Sequence, residues 1–255
     1  MTVFTIASGK GGVGKTITAI NLGVALNSFG KEVIIIDANF TAPDLGVYLG
    51  APIVPVSLNH VIKDKAKIDD ALYEHHSGTK IVPLSLSIKD MKKLNHSKLP
   101  GVVNKLKKLA DYIIIDSAAG LGSDTVSAIK SSDEIIVVTN PEMPAVTNAL
   151  KTIRIADELG RSTRGIVITR VRGWETEMPM QSIKGMLERP ILGIVPEERS
   201  MQRALVKKDA IFHTHPRSKA AVSYKGIAAN VLGLPHVRQP DSIFSKFMKV
   251  LGMKS

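Results

Sequence analysis

"GKGGVGKTIT", residues 9–18, follows the apolar run "TVFTIAS" at residues 2–8. It completes the pattern G-x-x-x-x-G-K-[ST] from Gly9 through Gly14, Lys15 and Thr16. A strand pattern precedes it and a helical pattern over 15–29 follows. That order carries the signal, because a glycine loop between strand and helix turns N–H groups toward a phosphate, and the helix N-terminus adds positive potential. The stretch therefore predicts a phosphate cradle from Gly11, Gly12, Val13, Gly14, Lys15, Thr16 and Ile17. Lys15 is placed to meet the β/γ-phosphates of a nucleotide, and the Thr16 hydroxyl to ligate Mg²⁺. A second lysine, Lys10, directly follows the first glycine. One lysine is enough for the phosphates, so the other needs a reason.

Outward from the loop, short apolar runs alternate with helical patterns. Strands are expected at 2–8, 32–37, 80–84, 111–116, 134–140, 165–171 and 191–195. Helices are expected at 15–29, 98–110, 123–131, 144–159, 178–188, 200–207 and 216–232. "VIIID", "YIIID" and "EIIVV" are near-continuous apolar strands, as required when helices cover both faces of a sheet. The expected fold class is α/β, a doubly wound, mostly parallel sheet with helices on both faces. The chain divides into a main domain at 1–232, a proline-broken linker "GLPHVRQPD" at 233–241 and a distinct tail at 242–255.

The 255 residues are enough for one large α/β domain, at 44% hydrophobic and 22% charged. No apolar run reaches the roughly 18 residues of a membrane span, and no basic-then-apolar leader precedes the first strand. A cytoplasmic protein is expected. The absence of cysteine excludes disulfides, thiolate metal sites and cysteine-ligated iron–sulfur clusters. The net charge of +11 is unevenly placed: from residue 161 onward 17 Lys/Arg face only 7 Asp/Glu. This is either a solvated basic surface or one that attracts an anionic polymer or membrane.

Two more strands end in aspartate, Asp37 and Asp116, and carboxylates at the C-terminal edge of parallel strands stand beside the phosphate site. Both are candidates for the Mg²⁺ site, Asp116 the better one. "DSAAGLGSD", starting at Asp116, has the small residues of a loop that rearranges with the γ-phosphate.

"KGGVGKT" with its extra Lys10 resembles the deviant Walker A motif of the MinD/ParA ATPases, a family of P-loop NTPases. "DSAAGLG", "VVTNPEMPAVTNALKT", "VITRVRG" and "ILGIVPEERSMQRAL" follow in the order found in MinD-like proteins, closest to the archaeal type, over roughly residues 2–232. The resemblance implies ATP as ligand, hydrolysis to ADP and phosphate, and an ATP-dependent homodimer. Lys10 would then reach into the partner's site and neutralise transition-state charge, as an arginine finger does. It places adenine between Thr169–Arg170 and Pro196–Glu197, with backbone around Pro196 contributing because Arg170 stands where asparagine is common. It also implies reversible attachment to the inner face of the cell membrane and the positioning of an unidentified protein cargo, as in cell division. The alternatives are a ParA-like protein gripping DNA phosphates with Arg203, Lys207, Lys208, Arg217 and Lys219, and a quiet nucleotide-dependent scaffold.

Two positions depart from the family pattern. Asn39 stands where a second aspartate normally orients the attacking water, so slow hydrolysis is expected; Asp44 substitutes only if its loop brings it close. Ile17 replaces a common second threonine, where a backbone contact survives. In the tail, Ile243, Phe244, Phe247, Met248 and Leu251 fall on one helical face flanked by Lys246, Lys249 and Lys254. A short basic amphipathic helix needs a partner surface, either an anionic membrane interface or the protein's own core. His75, His76, His213 and His215 form no metal-binding pattern in the sequence.

Overall fold

The computed structural model describes residues 1–92 and 94–234; the linker from 235 on and the tail at 242–255 lie outside them. Eight strands form one sheet: β1 (Thr2–Ala7), β2 (Val33–Ala38), β3 (Tyr73–Glu74), β4 (Lys80–Val82), β5 (Tyr112–Ser117), β6 (Glu134–Thr139), β7 (Ser162–Val171) and β8 (Ile191–Pro196), in the order β3-β4-β2-β5-β1-β6-β7-β8. Every pairing is parallel except β3 with β4. This is the doubly wound fold expected from the alternation of strands and helices. The two-residue β3 was not expected, because so short an edge strand has no hydrophobic period to read.

Strands β2 and β5 are buried almost throughout. On one face, Phe4, Ile35, Ile114 and Val167 pack under α1 (Lys15–Ser28) and the helix Lys219–Val231. On the other face, Ile34, Ile113 and Ile115 form one cluster with the helix Leu99–Leu106, and Val137, Ile166 and Ile168 a second with the helices Met143–Glu158 and Met180–Leu187. Gly193 permits the closest of these approaches: a Cβ there would stand 2.4 Å from Ile227 Cγ1.

The chain winds outward from β1 to β2 and β4, returns to β5, and then continues on the other side of β1 with β6. That reversal leaves a crevice at the strands' C-terminal ends, where ligands bind in such sheets. The phosphate loop, the end of β2 and the end of β5 all meet there.

Candidate functional site

The loop after β1 is held from several sides. Gly14 enters α1 with φ 93°, a left-handed conformation that side-chain-bearing residues rarely adopt. Gly9 lies so close to the helix Met143–Glu158 that a Cβ would stand 2.5 Å from Asn148 O. From β7, Thr169 Oγ1 donates to Val13 O (2.6 Å) and lies 3.0 Å from Asn140 Oδ1. Thr169, at the expected base site, braces the loop.

Lys15 is buried and donates from Nζ to Ser8 Oγ (2.9 Å), whose hydroxyl donates to Lys10 O (2.8 Å). Burial pushes the Lys15 pKa below the usual lysine value, opposed by Asp116 and then Asp44. The Thr16 hydroxyl donates to Asp44 Oδ1 (3.0 Å). Asp37 and Asp116 are direct partners across β2 and β5. Asp37 accepts from Asn39 N (3.0 Å) and Leu45 N (3.3 Å), so both its oxygens serve the following loop. Asp116 is fully buried, and neither of its oxygens has a hydrogen-bond partner among the described residues. Burial raises its pKa to about 7, and burial followed by repulsion from Asp116 pushes Asp37 well above the ordinary range.

Of these groups Lys15, Thr16 and Asp44 line a cleft of about 490 Å³, together with Gly12, Gly14, Ile17, Asn39 and Arg170, among others, while Ser8, Asp37 and Asp116 lie buried outside its lining. The β7–β8 register slips between Ile168 and Val171, and Arg170 takes φ 55°; this bulge turns Arg170 onto the cleft wall. Pro196 pairs with Val171 at the end of β8, and the Glu197 carboxylate is ion-paired to Arg172, which also lies 4.3 Å over the Trp174 ring. Neither Pro196 nor Glu197 is part of the cleft lining. Asn39 is tied to its own loop, Nδ2 donating to Ala42 O (2.5 Å) and Oδ1 accepting from Ala42 N (3.3 Å). Lys10 is exposed and bridges to Glu142 Oε2 at 2.9 Å.

The sequence reading missed Ser8, Tyr48 and Asp124. Asp124 lines the cleft and accepts from Thr41 Oγ1 (3.4 Å). It closes the quoted segment "DSAAGLGSD", so its acidity beside a small-residue loop was a usable signal. Ser8 and Tyr48 carried none.

A lysine and a threonine hydroxyl lining one cleft, with a buried carboxylate behind them whose oxygens have no hydrogen-bond partner among the described residues, fit a nucleotide with a divalent cation. Residues 4–211 match the CobQ/CobB/MinD/ParA nucleotide binding domain. The chain belongs to that family. It is a MinD/ParA-family ATPase of P-loop fold. The chain is 38% identical over 250 residues to an uncharacterized ATP-binding protein of Methanocaldococcus jannaschii, covering 96% of this chain and 95% of that one. Among solved structures it resembles MinD of Pyrococcus horikoshii complexed with Mg-ADP, with a TM-score of 0.87, 31% identity and coverage of 90% and 95% of the two chains. It also resembles the cell division ATPase MinD of Pyrococcus furiosus, with a TM-score of 0.88, 30% identity and coverage of 92% and 99%.

Proposed function

We propose that this ATPase is a slow nucleotide switch. It pairs with a second copy of itself across bound ATP, docks reversibly on an anionic membrane surface through residues 242–255, and positions other proteins from the cytoplasmic face. The observation that supports this reading is the division between two lysines of one loop. Lys15 is buried beside Ser8 and Asp116, whereas the Lys10 side chain is 41% exposed and, among the described residues, is held by Glu142 alone. An exposed ion pair contributes about 0–1 kcal/mol. Lys10 therefore leaves Glu142 at little cost and brings its charge to a partner's phosphates.

Within the site, Lys15 and the backbone of residues 11–17 hold the β- and γ-phosphates, and Thr16 with Asp116 holds Mg²⁺. That cation supplies charge which offsets the negative charge on the phosphoryl oxygens. Asp44, already hydrogen-bonded to Thr16, stands in reach of the same ion. Asn39 orients water through its amide but accepts no proton from it, which keeps turnover slow.

In the tail, one short helix binds lipid weakly, and dimerisation joins two of them, so ATP raises membrane avidity through effective concentration. The test is co-sedimentation of the full chain with anionic vesicles in ATP and in ADP. Wild type pellets with ATP, and Phe244→Glu or Phe247→Glu stays in solution. Pelleting that is equal in ATP and ADP ends the switch reading. A second reading rests on the exposure of Arg203, Lys207, Lys208, Arg217 and Lys219. ATP-dependent retention on duplex DNA, without vesicle binding, would replace the membrane reading with it.

A further inference from the structure

Three histidines outside the nucleotide site, His75, His76 and His213, come together in the fold. The β3–β4 turn carries His75 and His76, and the short helix Ile211–Thr214 carries His213. Asp209 lies between them. His76 Nε2 is 3.4 Å from Asp209 Oδ2, His213 Nδ1 is 3.1 Å from Asp209 Oδ1, and the rings of His75 and His76 stand 4.0 Å apart. One ligand atom from each of His75, His76 and Asp209 lies within 4.8 Å of the other two. His215 stays outside, with Nδ1 on Thr214 Oγ1 at 3.0 Å.

The donor types are those of a borderline metal. His75 is buried and His76 exposed, so the cluster opens to solvent on one side. His75 Nδ1 lies 2.9 Å from Ser77 Oγ and accepts from Ser77 N (3.3 Å), so an ion on Nε2 requires the tautomer whose proton moves to Nδ1 and is shared with that hydroxyl, the outer support a ligating histidine uses. Asp209 Oδ1 accepts from Ala210 N (2.6 Å), leaving Oδ2 to an ion.

We propose that His75, His76 and Asp209 form a binding site for a divalent transition ion of the zinc class. Imidazole and carboxylate suit such an ion. Tetrahedral bonds of about 2.0–2.1 Å place ligand atoms about 3.3 Å apart, so the cluster must contract. His76, with its side chain 63% exposed, is the residue that can move. The ion would clip the edge hairpin of the sheet to the segment behind the helix Arg199–Val206. That segment is itself tied to α1, because Ile211 N donates to Asn21 Oδ1 (2.9 Å). The site therefore braces the far edge of the sheet against the helix that carries Lys15 and Thr16.

The test is Zn²⁺ binding to the full chain by chelator competition, with Mg-ADP saturating the nucleotide site. Wild type is expected to bind one Zn²⁺ per chain and to melt at a higher temperature with it. His76→Ala and Asp209→Asn should each weaken binding beyond the about 10–100-fold that losing an outer partner costs, and should abolish the thermal shift. His76 is exposed, so His76→Ala should match wild-type melting in chelator, which separates loss of the ligand from loss of the fold. Wild type binding no more Zn²⁺ than the His75→Ala/His76→Ala double variant overturns the proposal. So does full affinity retained by either single variant, which would move the ion elsewhere.

Discussion

β2 and β5 end alike in sequence, with "VIIID" and "YIIID", and lie side by side with Asp37 opposite Asp116. Both carboxylates are buried, yet their surroundings divide them. Asp37 spends its oxygens on the N–H groups of Asn39 and Leu45, folding the loop that delivers Asp44 to Thr16. Asp116 has no such loop turning back on it and keeps both oxygens unpartnered. A buried carboxylate with filled hydrogen bonds is a building element, whereas an orphaned one is poised for a cation. The residues after a strand, more than the acid at its end, decide which role that acid takes.

The largest expected effect tests the positive side of Asp116. Lys15→Ala removes the ammonium beside it and should abolish ATP affinity, measured by equilibrium nucleotide binding; Lys10→Ala should leave affinity intact and lose the ATP-dependent dimer. Next, Asp116→Asn should cut Mg²⁺-dependent turnover by on the order of 10²-fold, as loss of a charge-stabilising group does, with the melting temperature held or raised. Asp37→Ala should instead lower stability by about 1–3 kcal/mol, because two backbone donors lose their acceptor. If the two variants show the same pattern in turnover and melting, the distinction between the strand ends collapses.

A third expectation follows from protonation. Asp116 has a folded pKa of about 7, raised by burial, against about 3.9 in the unfolded chain. The folded state therefore binds the extra proton between those values. The stabilisation is full below the unfolded value and is lost as pH rises through about 7. Nucleotide-free protein should melt higher at pH 5 than at pH 7 as far as this group contributes, and Asp116→Asn should flatten the slope. Asp37 shifts in the same direction, so some slope remains in that variant.

The smallest effect concerns Asn39. General bases contribute about 10²–10⁴-fold, but Asn39 is anchored to Ala42, so Asn39→Asp should raise single-turnover hydrolysis by less than that range. Asp44→Asn is the companion: if it collapses the rate while Asn39→Asp leaves it unchanged, Asp44 orients the water.

Much of the fold was legible because the strands are short apolar runs and the helices keep a 3.6-residue period. All seven expected strands and all seven longer helices form, with ends shifted by a few residues. The helices Leu45–Tyr48 and Leu58–Ile62 were not legible, since one turn carries no period. In the site, Lys15 and Thr16 were legible because the loop is contiguous. The bracing role of Thr169 and the engagement of Asp37 were not, because each depends on a partner supplied by another element or by a turn of the loop.

By itself the sequence determined the strand–loop–helix phosphate cradle, the apolar strands buried on both faces, and the acids at the ends of β2 and β5. These are local patterns, and local sterics and periodicity set them. Only the tertiary structure decided which acid stays unpartnered, that Asp44 reaches Thr16, that Lys10 rests on Glu142, and that His75 and His76 meet Asp209. Each of those contacts joins residues that the chain keeps apart. Sheet order and loop closure bring them together, and no spacing along the sequence encodes that distance.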